Sequence, residues 1–383
     1  MAAESASLRV LQLINTLARA DGGPARHALE VNSALNARPG ISALVVSMTG
    51  ASRDSLVAEQ EWPAAHASER RPNAFDLWRL IGRTDVVVIE GFYLAWVPFA
   101  ALACFARRVP YAIVPHGVFT RYQHSQSRAK KSLFDAIAGR WVRSRASRFL
   151  VASAIERDDM EGLFPRLHLS VVGIGSGSVA EPALGGRHEP MRLISMSRIA
   201  AKKRIDIAID AVAMMKEMGI DAMLTIAGSG DPGLVQGLQE RVQGLGLSDR
   251  IVFTGELGGR AKSELFAASD ALVAPSEDEN FGIAIAEALS AGVPVVATQF
   301  VGAALAAGGR AVRVVDTVSA PTLSKALIEL RNDPNYGALR KTAVLTAQRE
   351  FSWETVAARW HVALGALAHS GQRPQDNGPT HGS

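Results

Sequence analysis

Short, uninterrupted runs of apolar, often β-branched residues recur along this chain, with segments of helical length between them. In the first half, the runs lie at residues 10–14, 43–47, 86–89, 111–114 and 148–151. In the second half, they lie at residues 193–196, 223–227, 251–253, 271–274, 293–297 and 312–315. Continuous rather than alternating apolar strands are buried on both faces, as in parallel sheets covered by helices. The pattern predicts an α/β protein with doubly wound, Rossmann-like sheets.

The alternation breaks once, at the glycine- and serine-rich segment Gly173–Ser178. This composition is typical of a linker. We therefore expect an N-terminal domain over residues 1–173 and a C-terminal domain over residues 174–350, with a disordered tail at 367–383. Open α/β sheets bind ligands at the carboxyl ends of their strands, so two such domains facing each other would form a binding cleft.

Composition excludes several classes of protein. The chain has 383 residues, of which 48% are hydrophobic and 20% charged, a globular balance with enough residues for about two domains. Its single cysteine, Cys104, excludes an intramolecular disulfide and a cysteine metal cluster. The N-terminus lacks a basic residue before its first apolar run, and Glu90, Gly91 and Pro98 interrupt the longest apolar stretch. We expect a cytoplasmic protein without a secretory signal or a membrane span.

Charge is unevenly distributed between the two halves. Residues 1–180 contain 21 Lys and Arg against 15 Asp and Glu, whereas residues 181–383 contain 20 against 22. A nucleic acid, an anionic membrane, a diphosphate-bearing substrate and an ordinary solvated surface all fit a basic N-terminal half. The count alone does not choose among them.

The most specific segment runs from Pro275 to Thr298 and contains two glutamates eight positions apart. Glu279 is expected in a loop after a strand, and Glu287 in the following helix on the same face as Ile283. The two carboxylates could then face two hydroxyl groups of one ligand. The alternative is that residues 277–279 only complement a helix N-terminus and that Glu287 is solvated.

The complete string resembles the E-x7-E signature of retaining glycosyltransferase family 4, whose members have the GT-B fold and use nucleotide sugars. Other stretches are similar to further motifs of that family: Asp21–Pro24, Pro115–Gly117, Ser197–Lys203, Ile251–Gly255 and Phe351–Glu354. The last of these resembles the start of a helix, here 351–366, that crosses back onto the N-terminal domain. The resemblance spans residues 8–366. It implies retaining transfer of a hexosyl unit from a nucleotide diphosphate sugar to a saccharide, without a metal or another cofactor.

The resemblance also implies roles for individual residues. His116 and Glu279 are the candidate catalytic residues, with Glu279 at the donor sugar and Glu287 at the ribose. The candidate donor-binding residues are Gly22, Gly23, Arg198, Lys203, Gly228, Asn280, Phe281, Gly282, Ile283 and Glu287. No metal ligand is expected.

Elementary chemistry supports these roles and leaves alternatives. Arg198 and Lys203, beside a helix N-terminus, would stabilise the charge on a departing nucleoside diphosphate. Alternatively, residues 202–204 form a solvated basic turn. The Gly22–Gly23 pair allows backbone amides to approach an anion, or only makes a tight turn. His116 could bind a sugar hydroxyl, or be a hydrogen-bonded structural histidine.

Three positions depart from the family pattern. Asn280 stands where glycine is commoner, the segment Gln299–Leu305 lacks the usual acid, and Gly173–Gly175 replaces Pro-Asn-Gly. We expect these changes to affect the identity of donor and acceptor more than the type of reaction.

Two other functions have to be weighed. Residues 228–233 fit the G-x-G-x-x-G fingerprint of nicotinamide-dependent oxidoreductases, but that fingerprint belongs in the first strand–helix turn of a domain, and Pro232 interrupts it. A non-catalytic sugar- or nucleotide-binding protein with two lobes is the other alternative, which turnover of a nucleotide sugar would exclude. No phosphate-loop, zinc-site or nucleophile-elbow motif is present, so nucleotide hydrolysis, metalloenzyme and serine hydrolase functions have no support.

A basic segment, Arg121–Arg148, follows His116. It contains eight basic residues and one acid, Asp135. Its apolar residues are spaced as on one helix face: Leu133, Phe134, Ile137 and Trp141. Helices that are both basic and apolar in this way lie on anionic membranes. The alternative is that the apolar stripe faces the core and the basic side is solvated. Lys130 favours this alternative, because it projects onto the apolar face. We hypothesise a peripheral enzyme on the cytoplasmic face that extends a polyprenyl-diphosphate-linked saccharide for a surface polysaccharide, with no nucleic acid partner.

Overall fold

A computed structural model describes residues 7–19, 22–57, 66–120, 123, 128–177, 182 and 185–371. Within this part of the chain, two parallel sheets are formed, one on each side of the linker. The N-terminal sheet contains β1 (Leu8–Ile14), β2 (Ile41–Ser47), β3 (Ala67–Ser68), β4 (Val86–Glu90), β5 (Tyr111–Val114), β6 (Arg148–Val151) and β7 (Leu169–Val171). The C-terminal sheet contains β8 (Met191–Met196), β9 (Ala222–Ala227), β10 (Ile251–Gly255), β11 (Ala271–Ala274), β12 (Val295–Thr298) and β13 (Val312–Val315).

Helices connect these strands. Those of the first half are α1 (Gly23–Asn36), α2 (Ala74–Ile81), α3 (Val97–Arg107), α4 (Arg128–Phe134), α5 (Arg140–Arg145) and α6 (Ala154–Leu163). Those of the second half are α7 (Ile205–Glu217), α8 (Pro232–Gly244), α9 (Gly259–Ala267), α10 (Ile283–Ser290), α11 (Gly302–Ala307), α12 (Ala320–Arg331), α13 (Tyr336–Phe351) and α14 (Trp353–Gly371).

Strand order confirms the doubly wound architecture. The sheets run β3-β2-β1-β4-β5-β6-β7 and β10-β9-β8-β11-β12-β13, and every pair is parallel. Every apolar run of the sequence overlaps one strand. The sequence did not predict β3 and β7, which have only two and three residues. In each sheet the order reverses beside the first strand, and ligands bind at the carboxyl ends of the strands at such a point.

Apolar side chains cover both faces of each sheet. Leu11, Val87 and Ile113 contribute to the core on one face of the N-terminal sheet, and Val10 and Val88 to the core on the other. The C-terminal sheet likewise has one core cluster on each of its faces. This two-sided burial accounts for the uninterrupted apolar runs.

Helix α14 crosses back to the N-terminal domain. It starts at Trp353, after a break at Ser352, and the indole of Trp360 is fully buried on the N-terminal sheet. The expected helix of residues 351–366 therefore differs at both ends from the observed one. Leu367 is buried in the helix, so residues 367–371 do not belong to a tail. The remainder of that tail, from residue 372, lies outside the described residues.

The basic segment does not form the single apolar face expected of it. A π-helical turn over Asp135–Gly139 separates α4 from α5 and shifts the helical register. The ring of Phe134 packs 5.6 Å from Phe92, whereas Leu133 and Ile137 are exposed. The expected stripe is thus divided between the core and the surface. Arg121 and the side chain of Arg128 lie outside the described residues.

Candidate active site

A cavity of about 690 Å³ lies between the two domains, at the carboxyl ends of both sheets. Residues from both halves of the chain line it, including most of the residues singled out from the sequence. These are Gly23, His116, Arg198, Lys203, Gly228, Glu279, Asn280, Phe281, Gly282, Ile283 and Glu287. Gly22 directly precedes this wall, with φ of 65° at the start of α1, and Asp21 lies outside the described residues.

Two basic residues from the loop after β8 reach the cavity. The side chain of Arg198 is exposed and has no hydrogen bond or ion pair with any residue that the structure describes, and the carbonyl oxygen of Arg198 accepts a hydrogen bond from Oγ of Ser197 at 3.3 Å. Lys203 is buried and forms an ion pair with Glu279. Burial lowers the pKa of Lys203 to about 8, and the neighbouring cations Lys202 and Arg198 add to that shift. The loop after β8 therefore supplies one cation whose side chain is unpaired and one cation that loses its charge as the pH rises through about 8.

The second glutamate of the motif is also paired with a lysine. Glu287 lies one turn inside α10, and its Oε1 is 2.6 Å from Nζ of Lys262 on α9. Glu30, on α1 of the other domain, is close enough for its pKa to be raised by Glu287, although burial is the larger cause. Glu279 and Glu287 are therefore partly buried members of ion pairs, and neither is simply solvated.

Backbone amides at the start of α10 add a positive end to the cavity. Gly282, with φ of 90°, turns the chain into the helix, and a Cβ there would lie 2.8 Å from Val301. The ring of Phe281 packs against Phe351, 5.7 Å away, and anchors this turn in the core. The unpaired N–H groups of a helix N-terminus bind anions such as phosphate.

His116 lies above a buried carboxylate. Its Nε2 is 2.7 Å from Oε2 of Glu90, which ends β4 and is itself buried. Oε1 of Glu90 accepts a hydrogen bond from Nε2 of Gln12, 3.1 Å away. The backbone of His116 has φ of 52°, an uncommon left-handed conformation for a residue other than glycine. The ring is therefore held in a fixed orientation at the cavity wall.

A second histidine faces the same cavity. His27 on α1 is buried, and its ring lies edge-on to that of His116 with a centroid distance of 5.7 Å. Burial lowers the pKa of His27 to about 4, so this imidazole is neutral at physiological pH. His27 therefore adds a polar group without adding charge.

Sequence reasoning missed Lys262, Glu90, Glu156 and His27. Glu90 had a usable signal, because it directly follows the apolar run 86–89 and ends β4 at the edge where ligands bind. Lys262 had none, because 25 positions separate it from Glu287 and only the packing of α9 brings them together.

Comparison with known families agrees with this architecture. The family described as "Glycosyl transferases group 1" matches residues 181–346, and the "Glycosyl transferase 4-like domain" matches residues 22–175. Both models describe glycosyltransferase domains, and each matches one half of the chain. Its fold is GT-B, because a solved structure titled Anabaena Alr3699/HepE in complex with UDP and glucose superposes with a TM-score of 0.70. That superposition covers 94% of this chain and 100% of the other, at 18% identity.

Curated relatives carry names of sugar-transferring enzymes. Phosphatidyl-myo-inositol mannosyltransferase of Mycobacterium leprae is 27% identical over 330 residues, covering 84% of this chain and 82% of that protein. A GDP-mannose-dependent α-(1-6)-phosphatidylinositol dimannoside mannosyltransferase of Mycobacterium tuberculosis is 30% identical over 190 residues, covering 46% of this chain and 45% of that protein. The chain spans only 38% to 45% of the length of several curated relatives that it matches.

The oxidoreductase alternative has no support in these comparisons or in the geometry. Gly228 follows β9, the second strand of its domain, and not the first. A Cβ on Gly228 would lie 1.9 Å from the carbonyl oxygen of Ser197, and one on Gly230 would lie 2.1 Å from that of Ile199. These two glycines let their loop pack against the Arg198 loop, which accounts for their presence without a nicotinamide cofactor.

The pKa of Lys203 generates a prediction about binding. We expect the affinity for a nucleoside diphosphate to fall as the pH rises through about 8, because Lys203 then loses the charge that attracts the diphosphate. The loss should be about tenfold by one pH unit above the pKa if only the protonated form binds. Isothermal titration calorimetry with GDP and UDP between pH 7 and 9.5, at constant ionic strength, measures it.

Lys203→Arg provides the decisive comparison, because arginine keeps its charge over this range and should give a flat profile. Lys202→Arg is the matched control and should keep the parent's dependence. Parallel profiles for the parent and Lys203→Arg would contradict the assignment.

Proposed function

We propose that this chain transfers a hexosyl unit from a nucleotide diphosphate sugar to a hydroxyl group of a saccharide, with retention of the anomeric configuration. The observation that carries the proposal is the composition of the interdomain cavity. One domain contributes Arg198, Lys203 and the N-terminus of α10, and the other contributes His116. The first set suits a diphosphate leaving group, and the second suits hydroxyl groups.

Departure of the nucleoside diphosphate concentrates negative charge on its phosphate oxygens. Arg198 can form two hydrogen bonds with such a group, and the buried Lys203 adds a charge where water is largely excluded. These groups supply the stabilisation for which other transferases use a metal ion, so we propose a reaction that needs none. A diphosphate would compete with Glu279 for Lys203, which frees the carboxylate for the donor sugar.

Retention follows from a front-face reaction, the mechanism that the family resemblance implies. The bond between the anomeric carbon and the diphosphate oxygen breaks, and the acceptor oxygen attacks that carbon on the same face. The acceptor proton passes to the departing diphosphate, so no nucleophile from the protein is required. Glu279, through its charge, would stabilise the oxocarbenium-like centre between the two oxygens.

The donor sugar nucleotide is proposed only as a class. One relative is named as GDP-mannose-dependent, and the Anabaena structure is titled as a complex with UDP and glucose. The test is incubation with GDP-, UDP- and dTDP-linked hexoses and simple saccharide acceptors, with and without EDTA. Retained anomeric configuration by NMR and activity in EDTA are expected. An inverted product or complete loss in EDTA would contradict the mechanism, and ligand binding without turnover would favour the non-catalytic alternative.

The two motif glutamates should separate kinetically. Glu279→Gln removes a charge from the reacting centre, so we expect turnover to fall by about 10²-fold or more. Glu287→Gln removes the proposed ribose ligand and leaves Lys262 unpaired, so nucleotide affinity should weaken while turnover at saturation changes little. Steady-state kinetics and calorimetry distinguish the two. Near-normal turnover and nucleotide affinity in both variants would contradict these roles and favour the alternative that the acidic residues only complement a helix N-terminus.

We further propose that the acceptor is carried by a lipid and that the N-terminal domain docks on an anionic membrane. Helices α2, α3, α4 and α5, with the π-turn, carry eight basic residues and two acids. Large apolar side chains on these elements remain exposed: Phe75, Trp78, Phe99, Leu102, Phe105, Leu133 and Ile137. We call this set the exposed apolar residues of the N-terminal domain. No helix among the described residues has the length and apolarity to span a membrane.

Cations lie beside the exposed apolar residues of the N-terminal domain. The guanidinium of Arg107 lies 4.9 Å from the ring of Trp78, and that of Arg145 lies 4.9 Å from the ring of Phe105. Phe99 is 71% exposed and Ile137 76%, values that are costly in water unless another surface covers them. Exposed apolar groups beside basic residues suit an interface that offers acyl chains beneath anionic headgroups.

Liposome co-sedimentation tests the membrane proposal. We expect binding to vesicles with anionic lipids that weakens with salt, and a clear loss in a variant with Leu133→Ser, Ile137→Ser, Lys130→Gln and Arg140→Gln. Arg143 should be left unchanged, because it forms an ion pair with Asp135 inside the fold. Leu345→Ser, at an exposed leucine of the other domain, is the matched control. Indifference to lipid charge, with no loss in the variant, would contradict membrane docking.

A further inference from the structure

Asn280 makes direct contacts across the domain boundary. It lies between Glu279 and Phe281 in the loop before α10, and its Oδ1 accepts a hydrogen bond from Oγ of Ser153 in the N-terminal domain, at 3.3 Å. Its side-chain amide is close enough to the carboxylate of Glu156 to lower the pKa of that group. The donor-side loop is therefore joined through one side chain to the start of α6.

Glu156 is an unusual carboxylate because it is 1% exposed and has no ion pair with any described residue. Its oxygens accept hydrogen bonds from the backbone N–H of Gly117 at 2.6 Å and of Ala152 at 2.8 Å. Burial raises the pKa of Glu156, and these hydrogen bonds oppose the rise. A buried carboxylate held only by neutral donors depends on each of them.

The same carboxylate fixes the turn that carries His116. Gly117 has φ of 76°, and a Cβ there would lie 3.2 Å from Nδ2 of Asn280. The glycine thus gives Asn280 the space to approach the turn. One connected set of hydrogen bonds leads from Asn280 in the Glu279 loop, through Ser153 and Glu156, to the turn at His116. Oγ of Ser153 donates to Asn280 and accepts from the N–H of Glu156 at 3.1 Å, and the Glu156 carboxylate accepts from Gly117.

We propose that Asn280 is a positioning residue that holds the two domains closed and aligns the Glu279 loop with the His116 turn through Glu156. This role rests on the proposed transfer reaction, because it assigns His116 and Glu279 to one reacting centre. Asn280 neither reacts nor carries charge. It supplies an acceptor to Ser153 and places a neutral amide near Glu156, which few other side chains do in the same space.

The decisive variant is Asn280→Asp, which keeps the size of the side chain but places a second carboxylate against Glu156. At pH 8 we expect the unliganded protein to have a larger radius of gyration by small-angle X-ray scattering. Turnover should fall by about tenfold or more, and by a clearly larger factor than the affinity for a nucleoside diphosphate, because Arg198 and Lys203 are untouched. At pH 6 the variant should approach the parent, since two adjacent carboxylates share a proton.

Restoration and a control complete the test. Glu156→Gln in the Asn280→Asp background should recover part of both closure and turnover, because the glutamine amide can donate to the new aspartate. Asn335→Asp, at an exposed position in the C-terminal domain, adds the same charge and should behave as the parent. Asn280→Ala gives a neutral loss of the contact if the aspartate variant does not fold.

Several outcomes would overturn the proposal. These are an Asn280→Asp protein no different from Asn335→Asp, no recovery in the double variant, or equal losses in turnover and nucleotide affinity. Scattering and nucleotide binding need no turnover. If the parent transfers no sugar, the proposed reaction fails and the interdomain contact is still decided by the radius of gyration.

Discussion

The placement of the cleft depends on two chain crossings that pack against each other. The linker passes from the first domain to the second at Gly173–Ser176, and the chain returns at the break before α14. A Cβ on Gly175 would lie 2.3 Å from the ring of Trp353, so only glycine allows the crossings to come this close. The N–H of Ser176 donates to the carbonyl oxygen of Phe351 at 2.8 Å. Because Trp360 is buried on the N-terminal sheet, the second crossing anchors both domains.

This anchoring brings opposite charges together where water is limited. Lys203 with Glu279, and Lys262 with Glu287, place each carboxylate of the motif beside a cation in the cavity wall. Partly buried charges without partners would be costly, so these pairs allow the site to keep its charge before a ligand binds. Arg198 differs, because it remains exposed and open to an incoming anion.

The long strands and most of the residues that line the cavity could be predicted from the sequence, because strands and loop motifs are local features. Uninterrupted apolar runs identified the long strands, and residues that follow strands, such as Arg198 and Glu279, collect at one edge of a parallel sheet. The sequence could not show that Phe134 packs in the core while Leu133 is exposed, because this difference depends on a π-helical turn that breaks the helical period. Leu367 was wrongly predicted to lie in a disordered tail for another reason. Its burial depends on contacts with the N-terminal sheet, which is far from it in the sequence. Pairings between elements, such as that of Lys262 with Glu287, need the tertiary packing itself.

The structure also gives a common location to two departures from the family pattern. Asn280 replaces the commoner glycine, and the segment after Thr298 lacks an acid and continues through Gly302. A Cβ on Gly302 would lie 2.2 Å from the carbonyl oxygen of Asn280 and 2.6 Å from Cβ of Ser153. Both departures therefore meet at the start of α6, where the donor-side loop contacts the N-terminal domain. A small residue at 302 permits the close approach that an amide at 280 then uses for its hydrogen bonds, so the two positions are physically coupled.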